Sequence, residues 1–146
     1  MGGIKLTPEW ITGFIEGEGS FTITVMRHAN TKTGIEFSPK FRVELQADDL
    51  PILNNLKRYW RFGRVLLCPA SSPRYKRAEI KATDHYCYQV TSLYYCMKLA
   101  HFFKKCEFRT KKRKQFELWC TILELLSNKE HLSIAGVNKI LSMLGK

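Results

Sequence analysis

Apolar residues recur at helical spacing near the start of the chain, and the pattern then changes to alternation. Leu6–Gly19 (LTPEWITGFIEGEG) predicts a helix with its own start and stop signals. Thr7 is a good N-cap, Pro8 sits where its missing N–H costs nothing, and Leu6 with Ile11 can close a hydrophobic staple. Gly19 is expected to end the helix in the left-handed conformation. Phe21–His28 then alternates, with Phe21, Ile23 and Val25 on one side and Thr22, Thr24, Met26 and His28 on the other. After a polar loop, HANTKTG, Glu36–Gln46 alternates again, setting Phe41, Val43 and Leu45 against Lys40, Arg42 and Glu44. The two segments predict a hairpin with one apolar face and one polar, basic face.

Asp48–Asp49 next predicts a capped helix with Pro51 in its first turn, and Ile52, Leu53, Leu56 and Tyr59 or Trp60 as its apolar stripe. Gly63 is expected to end it. A second strand pair follows near Arg64–Cys68 and His85–Thr91, with Tyr86, Tyr88 and Val90 facing a core and His85, Cys87 and Gln89 facing out. Their connection, PASSPRYKRAEIKATD, carries Arg74, Lys76, Arg77 and Lys81, which suit either a solvated loop or phosphate contact. From Ser92 onward the period is helical: Ser92–Lys105, Lys112–Leu126, and a last helix capped by Ser133 that uses Ile134, Val137, Ile140, Leu141 and Leu144. The order is helix, hairpin, helix, hairpin, helices. It predicts an α+β chain, an antiparallel sheet covered by helices on one face.

Composition narrows the class of partner. At 146 residues the chain is expected to be one domain, residues 1–146, and 45% hydrophobic content argues against disorder. No apolar run approaches membrane-spanning length and no signal-peptide core is visible, which predicts an intracellular, non-secreted chain. Five cysteines (68, 87, 96, 106 and 120) show no CxxC pair and read as ordinary thiols of a reducing compartment. The net charge of +11 calls for a polyanionic partner, most often nucleic acid. Seven cations (Lys104, Lys105, Arg109, Lys111, Lys112, Arg113 and Lys114) crowd around Glu107 between the first two late helices.

The first helix then looks unusual. Gly13 and Gly17, each about 1 kcal/mol worse than alanine in a helix interior, form one stripe with Trp10, where a second backbone could come close. Glu16 and Glu18 sit at the C-terminal end, where the helix dipole disfavours negative charge. An arriving cation would remove that conflict.

ITGFIEGEGSFTITV resembles the signature helix and first strand of the LAGLIDADG homing endonucleases. FRVELQADDLPILNNLKRYWRFGRV resembles the family's second strand, helix and third strand. FRTKKRKQFELW resembles its late basic motif, and NKEHLSIAGVNKILSM its C-terminal helix. The resemblance implies an αββαββα fold whose sheet forms a DNA-binding saddle. With a single motif, it implies a homodimer joined through Trp10, Gly13, Phe14 and Gly17. The implied activity is metal-dependent hydrolysis of both strands of a long, pseudo-palindromic duplex. The cation is expected to be Mg2+, or another divalent ion such as Mn2+ or Ca2+ in the same site. Some members of this fold assist intron RNA folding instead, so a non-cleaving binder is the alternative. An organelle or a prokaryotic cytoplasm is the implied location.

By the same resemblance Glu18, with Gly17, is expected to hold the metal, and Glu16 to play a structural part. Gln46 or a neighbour would order water near the metals, and Lys112 or its neighbour Lys111 would be the active-site lysine. Glu replaces the motif's usual Asp, and Cys106–Glu107–Phe108 stands where relatives often have Tyr-Pro-Leu. For contact with DNA the expected set is Thr22, Thr24, Met26, His28, Ser38, Lys40, Arg42, His85 and Gln89, with Lys111. Such side chains can donate to guanine, pair with adenine or touch the thymine methyl.

Overall fold

Thr7 begins the first helix as the sequence predicts: its hydroxyl oxygen accepts from the Trp10 amide at 3.2 Å. The computed structural model describes residues 5–68 and 84–146, so the run Arg74, Lys76, Arg77 and Lys81 lies outside the described residues. The elements run α1 (Pro8–Glu18), β1 (Gly19–Arg27), β2 (Ile35–Gln46), α2 (Leu50–Trp60), β3 (Arg64–Cys68), β4 (His85–Val90), α3 (Leu93–Lys104), α4 (Lys112–Ser127) and α5 (Ile134–Met143). Short 3-10 turns stand at Ala47–Asp49 and Glu130–Leu132. The sheet is antiparallel with strand order β1-β2-β4-β3. The described residues form two compact units, one drawn from Met1–Ser20 and Phe41–Val90, the other from Phe21–Lys40 and Thr91–Lys146.

In the first unit β4 is the central strand, pairing Phe41–Gln46 on one side and Arg64–Cys68 on the other. Phe41, Val43, Tyr88 and Val90 point to one face and are buried. Leu53 and Leu56 of α2 are fully buried, and the helix packs on β3 and β4. Trp60 stacks on Tyr88 with ring centroids 5.9 Å apart, and the Tyr88 hydroxyl donates to the Phe62 carbonyl at 2.6 Å. Burial pushes the Tyr88 hydroxyl's pKa up, so it stays a donor.

Two expected helix ends are corrected here. Helix α2 stops at Trp60, and Arg61 takes the left-handed cap position expected of Gly63. Gly63 lies beyond, at φ +92°, where a Cβ would fall 2.6 Å from the Tyr88 ring. Gly19 is extended (φ −84°, ψ 161°) rather than left-handed, so α1 passes straight into β1. Its lack of a Cβ serves close approach instead: one there would lie 2.6 Å from the Ile15 side chain.

The second unit is built on α4. Phe21 packs edge-on or tilted against Phe103, Phe108, Phe116 and Trp119. Phe37, Ile122, Leu126, Val137 and Ile140 form a further cluster, covered partly by Ile23 and Val25. Ser133 caps α5 by accepting from the Gly136 amide at 3.0 Å. Ile134, expected in the apolar stripe of that helix, is 72% exposed, because the buried face of α5 runs through Gly136, Val137 and Ile140 instead.

Candidate nucleic-acid interface and acidic helix end

Three of the expected site features are positioned by separate elements. On α1, Ile11, Thr12 and Ile15 are buried while Gly13, Gly17 and Glu18 are exposed. A Cβ added at Gly13 or Gly17 would meet nothing within 4 Å. Trp10 is 40% exposed and stacks on Phe14 at 5.0 Å. The glycine stripe is therefore open in the single chain. The last turn of α1 carries no basic residue, and Glu18 stands at its very end.

Lys112 opens α4, with Lys111 exposed at the preceding cap position. Its ammonium nitrogen lies 3.4 Å from Gln115 Oε1. The same Gln115 oxygen accepts from the Phe21 amide at 3.2 Å. Four residues further along α4, Trp119 Nε1 donates to the Thr22 carbonyl at 3.0 Å. Helix α4 thus holds the start of β1, three residues along the chain from Glu18, and holds the lysine by the same side chain. Strand β1 is an edge of the sheet, where backbone groups lack a strand partner on one side.

The outward residues of β1 follow the expected alternation. Thr22, Thr24 and Met26 are exposed, as is His28 just past the strand, whereas Ser38 and Lys40 on β2 are half-buried. In the first unit, Arg42, Glu44 and Gln46 share a face with Gln89, Cys87 and His85 and with Arg64, Leu66 and Cys68. Gln46 is exposed and lies across from His85; Arg42 lies across from Gln89. Cys87, expected to face out, is on this face yet only 2% exposed, because larger neighbours cover a small side chain. Burial, with Cys68 adding to the effect, pushes its thiol pKa up to about 11.

Two functional candidates were missed by the sequence reading. Glu44 bonds to both Arg42 and His85; its outward position was visible, its partners were not. Gln115 reaches back 94 residues, and no local signal announces that.

Fold and site together describe an α+β chain with a polar sheet face and a helix that ends in an exposed acid. Residues 11–123 match the LAGLIDADG endonuclease family, and the chain belongs to it. It is similar to the homing endonuclease I-TnaI (30% identity, TM-score 0.82, covering 96% of this chain and 86% of that one). It is also similar to I-SmaMI bound to an uncleaved DNA target in the presence of calcium ions (30% identity, TM-score 0.81), covering 95% of this chain and 44% of that one. A Neurospora crassa protein named "Probable intron-encoded endonuclease 3" is 28% identical over 143 residues, which are 98% of this chain and 25% of that protein. The chain thus spans about a quarter of the length of the intron-encoded relatives it matches. Among the described residues no helix is long and apolar enough to cross a membrane.

Proposed function

We propose that the chain is a site-specific double-strand DNA endonuclease of the homing type, working as a homodimer with a divalent cation. The observation that carries this reading is α1: an open glycine stripe that runs to an exposed Glu18 with no basic residue in the last turn. Two copies joined through Gly13 and Gly17, with Trp10 and Phe14 beside them, would bring two Glu18 carboxylates together at the middle of one duplex. The DNA-bound I-SmaMI neighbour supports a duplex as the ligand.

The donor chemistry fits a hard cation. Each chain offers the Glu18 carboxylate and the Gly17 carbonyl, oxygen ligands of the kind Mg2+ takes, with Mn2+ or Ca2+ as substitutes. Among the described residues no group of three or more His, Cys, Asp or Glu is gathered to hold a metal, so phosphate, water and the second copy would complete the shell. When bound, such an ion lowers the pKa of the attacking water and stabilises the leaving oxygen. The chain's own residues do the remaining work. Lys112 sets positive charge toward the phosphate, Gln46 holds water, and Thr22, Thr24, Met26, His28, Ser38, Lys40, Arg42, His85, Gln89 and Lys111 meet the duplex.

A supercoiled plasmid library incubated with protein and Mg2+ tests this. Cutting by the wild type that vanishes in Glu18→Gln, with DNA binding retained, is the expected result. Equal binding by both proteins with no cutting by either would overturn it in favour of a non-cleaving nucleic-acid binder.

A further inference from the structure

An acid on a surface that must approach a polyanion is unfavourable unless its charge has another use. Among the described residues Glu44 is the one acid on the face formed by Arg42, Gln46, Arg64, Leu66, Cys68, His85, Cys87 and Gln89. Both of its oxygens are engaged. Oε1 accepts from Arg42 Nη2 at 2.7 Å, and Oε2 lies 3.0 Å from His85 Nδ1. Cys87, directly across the strand from Glu44, is small enough to let the two partners converge over it. The side chains of Arg42, Glu44 and His85 are 36%, 41% and 39% exposed, so a ligand can reach all three.

Stability does not explain the arrangement, since exposed ion pairs contribute little to folding. Geometry explains it better. Arg42 Nη2 also donates to Cys68 Sγ at 3.2 Å, so both of its hydrogens are used. A ligand meets only Nη1 and Nε of that guanidinium. His85 turns Nδ1 to the same carboxylate, 3.0 Å from Oε2, which leaves Nε2 on the far edge of the ring. A guanidinium held in place can select a base edge, whereas a released one can swing to a phosphate and bind every sequence alike.

We propose that Glu44 is a positioning residue for base readout: by holding Arg42 and His85 in one fixed arrangement, it sets which bases that part of the sheet face accepts. This depends on the reading of the chain as a protein that acts on specific DNA. The test is a binding selection from a randomised duplex pool, with the bound DNA sequenced for wild type, Glu44→Gln and Glu44→Asp. In Glu44→Gln, base preference at one or two neighbouring positions should fall by about tenfold, while other positions keep theirs. Binding to unrelated DNA should rise, with a steeper salt dependence as Arg42 moves to phosphate. The shorter Asp cannot span both partners and should lose preference at the same positions.

Selection profiles of both variants identical to that of wild type would overturn the role of Glu44 while leaving the DNA-reading function in place. So would a uniform weakening at every position accompanied by a lowered melting temperature, the mark of a purely structural residue. A wild-type protein with no base preference at all would overturn both readings.

Discussion

At the scale of single residues, small side chains in tight places decide more than the charged ones do. Cys87, Cys96 and Cys120 are buried, and burial pushes their thiols up to about 11, about 12 and about 11 respectively. Cys68 and Cys106 are only half-buried. In the folded protein at pH 8, a thiol reagent should therefore modify Cys68 and Cys106 quickly and the other three only on unfolding. Since the folded state favours the protonated thiols, their contribution to stability is full at neutral pH. It should be lost progressively as pH rises from the ordinary thiol value of 9.0 through about 11 to 12, and urea midpoints measured across that whole range would reveal it. Gly63 is the other tight place, where a positive φ and the Tyr88 ring both exclude a side chain. Gly63→Ala should cost about 1–3 kcal/mol in denaturant unfolding.

At the scale of elements, α1 and α4 have opposite tasks. Helix α4 is tied into its unit by Phe116, Trp119, Ile122 and Leu123, and its polar side chains hold β1 by the backbone. Helix α1 buries Ile11 and Ile15 but leaves its glycine stripe open. Two effects of the same substitution can therefore be separated. Gly17→Ala should stabilise the isolated chain by up to about 1 kcal/mol, because it favours the helix and meets no neighbour. Gly17→Leu should also fold, yet sediment as a monomer under conditions where the wild type is a dimer. An intact dimer in Gly17→Leu would remove the stripe from the interface.

At the scale of the whole molecule, charge governs the encounter with a partner. A net charge of +11 on 146 residues is large. DNA affinity should fall steeply with salt, with a log–log slope of about −0.9 for each phosphate neutralised. Binding titrations from about 50 to 200 mM salt measure that slope, and a flat response would exclude the basic sheet face as the binding surface. Sequence preference should survive the same salt change better than overall affinity, since base contacts carry the preference and phosphate contacts carry much of the affinity.

The sequence by itself determined the elements and their order, because period and capping are local. Thr7 and Ser133 cap helices as their positions predict, and the alternation along β1 and β2 assigns each residue to the correct face. It also carried the family, since the signature stretch is contiguous. Only the tertiary structure decided the partners of side chains brought together from distant parts of the chain. Gln115 bonding to Phe21, Trp119 to Thr22, and Glu44 to His85 depend on sheet register and helix placement, which no local pattern encodes. The same holds for the corrected details. Gly19 is extended because α1 runs straight into β1 there, and Cys87 became buried because its neighbours on the next strands are larger. A local reading assigns a residue to a face, but what covers that face is settled by packing between strands and helices far apart in the chain.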